Sequence, residues 1–325
     1  MLNFPTNIFE LGQMFNTQDA CRDFMFRVRW PDGYRCLNCD SDRYAMLTTR
    51  NHIIQCSKCR HQVSLTSGTA MENSHIGLCQ WFVGAYLMTT ATPSISALQL
   101  QRQLGRKRYE PCFNMLHKLR AVMVRPDTEM LEGEVEMDET IIGGHRIGPR
   151  GRGALGKSLV LGAVERIPTK AGHTRAGKCR LLKVDHADNA TIVHFLKRYV
   201  EPGSTIHTDG WQGYEGIEED GYNHDPFILR DPTQASKIFP HIHRVFGNLK
   251  AWIIGTFHGV SPKHMQAYLN EYAFRFNRRF EPWETFTAAL GLAAEGESPT
   301  YQQLYRAGAP TGWTHPNPQG EEMDV

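Results

Sequence analysis

Asp138, in the run EGEVEMDETIIGG, and Asp209, in STIHTDGWQGY, each sit at the end of a β-patterned stretch. The second is followed by a helix start rich in His, Arg, Asn and Lys, HIHRVFGNLKAW. Carboxylates projecting from rigid strand ends suit an enzyme that holds two hard cations close together, one to activate an attacking oxygen and one to stabilise a departing one. That is the chemistry of phosphodiester cutting and joining. A solitary strand-end Asp is ordinarily a turn or cap residue, so the weight rests on the pair and on what surrounds it. Glu136, two residues before Asp138, shares its strand face and is a candidate auxiliary ligand, whereas Glu139 points away.

The charge around this pair favours a polyanion. The chain of 325 residues carries a formal net charge of only +2, yet the segment from His145 to Lys183 holds ten Lys/Arg against one acid, Glu165. From Arg230 to Arg279 there are eight Lys/Arg against Asp231 and Glu271, and balancing acids include Glu321, Glu322 and Asp324. Each phosphate neutralised adds salt-sensitive affinity. The Gly/Arg loop HRIGPRGRGALGKS lacks a phosphate-loop pattern and suits backbone contacts to DNA through Arg150 and Arg152.

A second constellation lies upstream. Cys36-Leu-Asn-Cys39 and Cys56-Ser-Lys-Cys59 are two knuckles separated by sixteen residues, the spacing of a tetrahedral structural zinc site. The intervening segment reads as two short strands about a turn at 49–51. Cys21, Cys79 and Cys112 fall in apolar helical patterns and read as small buried residues.

The elements that must position these groups follow from periodicity. Residues 1–30 read as a helical segment with Thr17 as an N-cap, and 31–67 as the zinc ribbon. Residues 68–130 are helical: a stripe through Trp81, Phe82, Ala85 and Tyr86, a short helix starting at Pro93-Ser94, a break at Gly105, and a helix opened by Pro111. This outline is helix-turn-helix-like, with Arg106 and Lys107 at the turn as candidate DNA contacts. Over 131–290 the chain shows three strands, an amphipathic helix at 189–200 and a fourth strand ending in Asp209. That is the order of an RNase H-like α/β core, with its site at strand ends. Residues 291–325 read as a tail.

Taken together, these features resemble the DDE transposases of bacterial insertion sequences, specifically the insertion-sequence-1595 superfamily, whose members carry an N-terminal zinc ribbon. The matching stretches are RWPDGYRCLNC, CSKC followed by TSGTAM, MDETIIGG, HTDGWQGY, HRVFGNLKAWIIGTFHGVS and YLNEYAFRFNRR, in order from Arg29 to Arg279. The resemblance implies one structural Zn²⁺, two catalytic Mg²⁺ or Mn²⁺, and cleavage and strand transfer at the ends of a mobile element. It also implies double-stranded DNA as partner, both transposon ends and target, and a homo-oligomer when two ends are synapsed. Asp138 and Asp209 would hold the metal. Members with a DDE triad place Glu on the helix after the fourth strand, and seven residues before Lys250 that frame puts His243 in the carboxylate's place, 34 residues after Asp209. Asn248 and Glu271 are the alternative third ligands. A neutral imidazole or amide adds no negative charge, so Mg²⁺ affinity falls and Mn²⁺ is better tolerated. Lys250 and Arg244 are the expected phosphate contacts. Trp211 and Tyr214 read first as core, with stacking on bases as the alternative.

Composition sets the outer limits. With 41% hydrophobic and 22% charged residues the chain should fold with a sizeable core. It has neither an apolar run long enough to span a membrane nor a signal-peptide pattern, so a cytoplasmic, nucleoid-associated protein without a membrane partner is expected. Three function classes fit: an active transposase, a DNA-binding protein descended from one, and an RNase H-type nuclease without strand transfer. The complete ribbon and both aspartates favour the first.

Overall fold

The computed structural model describes residues 5–47, 52–123, 129–143, 157–227, 238–295 and Pro299. The ribbon turn expected at 49–51, Arg150, Arg152 and the acids of the tail lie outside the described residues. Among the described residues the chain divides into two units, one holding those up to Met123 and again from Arg278, the other those from Glu129 to Asn277.

In the first unit, α1 (Ile8–Met14) and α2 (Gln18–Arg29) are each capped from the preceding residue. The expected cap Thr17 accepts the Ala20 N–H. The ribbon follows as β1 (Tyr44–Met46), β2 (Ile53–Cys56) and β3 (Gln62–Ser64), an antiparallel meander. Then come α3 (Leu78–Thr90), α4 (Ala97–Gln103) and α5 (Glu110–Val122). The short helix starts later than expected, because Ser96 rather than Ser94 is the cap and accepts the Gln99 N–H. Gly105, at φ +61°, supplies the left-handed turn between α4 and α5. Most of α5 is buried, so the exposed cations of the helix-turn-helix outline belong to α4 and the turn: Arg102, Lys107 and Arg108. Cys112 is a small buried residue as expected, but Cys21 and Cys79 are joined as a disulfide. Their helices pack with Cα atoms 5.8 Å apart, within disulfide reach, a proximity that periodicity in each helix separately does not reveal.

The second unit is a five-stranded mixed sheet in the order β6-β5-β4-β7-β8. β4 (Glu134–Ile142), β5 (Ser158–Pro168) and β6 (Thr174–Val184) form an antiparallel meander, and β7 (Thr205–Thr208) and β8 (Asn223–Pro226) add parallel to β4. The expected order of three strands, a helix and a fourth strand is present, with α6 (Asn189–Tyr199) between β6 and β7. β8 is an addition: NHDP is too short and polar to read as a strand, and its pairing with β7 defines it.

Alternation in the strands sorts side chains onto two cores. Val135, Met137, Leu161, Ala163 and Ile206 face α6, through Ile192, Phe195 and Leu196. Ile142, Val160 and Val164 face the other way, against α7 (Pro240–Phe257) and α8 (Met265–Asn277). Within the span expected of the catalytic domain, 131–290, the described residues from Arg278 onward group by contact with the first unit. The helix Pro282–Glu295 instead packs on α3 and α5 of the first unit, with Phe286 and Leu290 fully buried. Among the described residues no helix is long and apolar enough to cross a membrane.

Candidate active site and zinc site

The zinc site is built locally. Each knuckle folds back on itself, with the Asp40 N–H donating to Cys36 O and the Arg60 N–H to Cys56 O, and the meander sets the two knuckles face to face. Cys36 and Cys59 sulfurs are 3.5 Å apart, Cys39 and Cys56 sulfurs 3.6 Å, and all four lie within 4.8 Å of one another. Zinc–sulfur bonds of about 2.3 Å in a tetrahedron give edges of about 3.8 Å, so the four thiols fit the ion. The Asn38 side chain and the His61 backbone N–H pull the Cys59 thiol down to about 6, towards the thiolate that binds zinc. Against a hydrogen bond from the Ser41 backbone, burial and three neighbouring thiols push Cys39 up to about 12. Four thiolates crowded together need a cation.

The acidic site is assembled from three distant segments. Asp138 occupies the α7 face of β4, in step with Ile142. β4 and β7 pair in parallel with Glu136 beside His207, and the same register continued two residues brings Asp138 beside Asp209. His207 holds β7 in that register: its Nδ1 lies 2.8 Å from Asp225 Oδ2 on β8, and its Nε2 2.5 Å from Glu134 Oε2 on β4. Each aspartate spends one oxygen on its own backbone. Asp138 Oδ1 accepts the Glu139 N–H at 2.8 Å, and Asp209 Oδ1 the Trp211 N–H at 3.0 Å.

The other oxygen of Asp138 faces α7, where His243 Nε2 lies 3.7 Å from Oδ2. That is too long for a hydrogen bond. It fits two donors turned to one cation, since two bonds of about 2.1 Å span up to about 4.2 Å. Burial first, then the charges of Glu139 and Asp209, push Asp138 up to about 7. A cation would relieve the same crowding of charge. Burial and the nearby Lys250 charge depress His243, keeping its ring neutral with a lone pair to offer. Lys250, on the His243 face of α7, is itself lowered by burial against the attraction of Asp138. Asp138 and His243 thus face one another with Asp209 and Lys250 close enough to act on their charges, whereas the one group of three or more donors all within 4.8 Å of one another among the described residues is the cysteine cluster.

The remaining expected residues lie elsewhere. Asn248 is exposed, five residues from His243 and so about 140° round the helix, away from Asp138. Glu271 is wholly buried on α8, beside Arg275 at 4.0 Å, and α8 lies along β6, two strands from β4. Glu136, the candidate auxiliary ligand, is wholly buried and accepts the N–H groups of His241 and Ile242. Arg244 is exposed on α7 and Lys107 in the α4–α5 turn, while Arg106 is half-buried and donates to His75 O. Tyr214 is fully buried in the α6 core and Trp211 packs at its edge, so Tyr214 offers no ring to a base. Sequence reasoning did not find Gly162, directly opposite Asp138 on β5. Its signal was there: an isolated glycine in the apolar strand SLVLGAVER marks a close backbone approach.

Comparison with known proteins agrees with this layout. Residues 130–277 match the model of the ISXO2-like transposase domain, and residues 16–62 match the transposase zinc-ribbon domain. The chain belongs to the insertion-sequence-1595 transposase family. It is similar to an uncharacterized protein in transposable element ISH50 of Halobacterium salinarum, 21% identical over 274 residues, 80% of this chain and 91% of the relative. It is also similar to an uncharacterized transposase-like protein of Haemophilus influenzae, 25% identical over 104 residues, 31% of this chain and 83% of the relative. As a transposase of this family the chain pairs a cysteine-rich ribbon with an acidic site on a mixed sheet, each within one of the matched domains.

Proposed function

We propose that this transposase binds the terminal inverted repeats of its element and cuts and joins DNA strands there, with Asp138, Asp209 and His243 holding divalent cations in an RNase H-like core. The observation that supports the reading is the 3.7 Å approach of His243 Nε2 to Asp138 Oδ2, with Asp209 near enough for its charge to act on Asp138. Support for the core assignment comes from the sheet order, an antiparallel three-strand meander extended by two parallel strands. Two bound Mg²⁺ or Mn²⁺ would supply the charge that activates an attacking oxygen and stabilises the departing 3′-oxygen. Asp138 and Asp209 contribute the negative charge, and Asp138 gives up its proton in doing so. His243 offers a neutral lone pair in place of a third carboxylate, which favours Mn²⁺ relative to Mg²⁺. Lys250 is held where its ammonium can meet a phosphate oxygen beside the reacting bond. The exposed cations Arg102, Lys107, Arg108 and Arg244 are the proposed contacts to the DNA backbone.

The test is incubation of purified protein with labelled DNA carrying the element's ends, with Mg²⁺ or Mn²⁺. Nicking followed by joining to a second duplex is expected, and both should vanish in Asp138→Ala. Nicking without joining would point to a nuclease, and specific binding without either to a DNA-binding descendant.

A further inference from the structure

Glu136 has the strand position of a metal ligand but the contacts of a clamp. Its Oε2 accepts the N–H groups of His241 and Ile242, both at 2.9 Å, and its Oε1 lies 3.6 Å from Arg166 Nε. Both oxygens are thus turned towards protein, whereas Asp138, two residues on, keeps Oδ2 facing His243. The first turn of α7 has no cap of its own: Phe239 precedes it, Pro240 opens it, and no side chain at the cap position bonds its backbone. A helix start leaves N–H groups unpaired and carries partial positive charge, so a buried carboxylate from another strand satisfies both at once.

A second feature sets how closely α7 approaches. Gly162 is the cross-strand partner of Asp138, and a Cβ there would lie 2.6 Å from the Phe246 ring and 3.1 Å from Ile242. α7 therefore rests on bare β5 backbone at the level of the acidic site.

We propose that Glu136 is a positioning residue: it clamps the first turn of α7 to β4, while Gly162 admits the helix close enough for His243 and Lys250 to face Asp138. His243 lies in the clamped turn, so any shift of the helix start moves its ring directly. The inference rests on reading Asp138, Asp209 and His243 as a cation site.

The experiment titrates Mn²⁺ into the zinc-loaded full chain by calorimetry, with its paramagnetic resonance signal as a second readout. Glu136→Gln keeps an oxygen for the two N–H groups and is expected to bind Mn²⁺ within about threefold of wild type. Glu136→Ala and Gly162→Ala are each expected to weaken binding roughly 10–100-fold, the usual cost of losing support behind a metal ligand. Adding Phe246→Leu to Gly162→Ala makes room for the new methyl and should restore much of the affinity. If Glu136→Gln loses Mn²⁺ as fully as Asp138→Asn, Glu136 is itself a ligand and the proposal fails. It fails equally if Gly162→Ala and any folded Glu136→Ala bind as wild type does. A distinct outcome, Mn²⁺ binding indifferent to Asp138→Asn, would remove the cation-site reading beneath it.

Discussion

The ribbon and the acidic site are two ways of placing charged ligands around a cation. In the ribbon the four sulfurs come from two four-residue turns within 24 residues of chain, and the turns themselves shape the site. In the acidic site the donors lie 105 residues apart at their extremes, Asp138 to His243, and reach one another only through strand register and helix docking. The ribbon site closes fully, four ligands for four positions. The acidic site stays open, with one oxygen of Asp138 facing His243 and an ammonium nearby. A closed site suits structure and an open one suits chemistry.

That contrast can be broken by removing each metal's ligands in turn. The largest effect is expected in the ribbon, where structural zinc contributes apparent binding energy of about 10–16 kcal/mol that is also folding energy. Cys56→Ser should abolish the ribbon's ordered amide signals in NMR spectra while the fold of residues 129–277 persists. Loss of both together would mean the ribbon is not a separate folding element. Next comes Asp138→Asn, which keeps shape but removes charge. It should lower strand cleavage by at least about 10³-fold with little change in zinc content, measured by single-turnover assay and metal analysis.

A smaller effect is expected from His243→Glu. Restoring a carboxylate should raise the ratio of Mg²⁺-supported to Mn²⁺-supported cleavage several-fold, on the order of the tenfold that about 1.4 kcal/mol represents. An unchanged ratio would make His243 a bystander. Smallest is a pH effect on metal-free protein. Asp138 titrates near 7 in the fold, above its ordinary value of 3.8, because burial, Glu139 and Asp209 disfavour its charge. Its contribution to stability is therefore complete below pH 3.8 and disappears as pH rises through about 7. The melting temperature should fall across that window without divalent cations and fall less with Mn²⁺. Asp138→Asn should flatten the slope, and a slope that survives it belongs to other groups.

Much of this was legible because some signals are local. The Cys-x-x-Cys pairs, the Thr17 cap and the α6 stripe each depend on neighbours within a turn or a strand pair, whereas Asp138, expected at a strand end, lies in the middle of β4, and Asp209 directly follows β7. His243 was legible only through resemblance, since nothing within a few residues distinguishes it from His241. The structure separates them by one observation, the 3.7 Å approach to Asp138, while the His241 ring bonds the Thr174 hydroxyl instead. Glu136 and Asp138 share a strand face and a charge, and only the docking of α7 assigns them different work. The helix Pro282–Glu295 is joined to α3 and α5 by packing, through the buried Phe286 and Leu290.

The sequence by itself determined the clustered cysteines and the order of strands and helices from β4 to β7, because turn chemistry and periodicity act over a few residues. Only the tertiary structure decided which third side chain meets Asp138, that Glu136 serves α7, and that Cys21 meets Cys79. Those outcomes depend on strand register and on how closely a helix can lie on a sheet, and such distances arise only when segments far apart in the chain pack together.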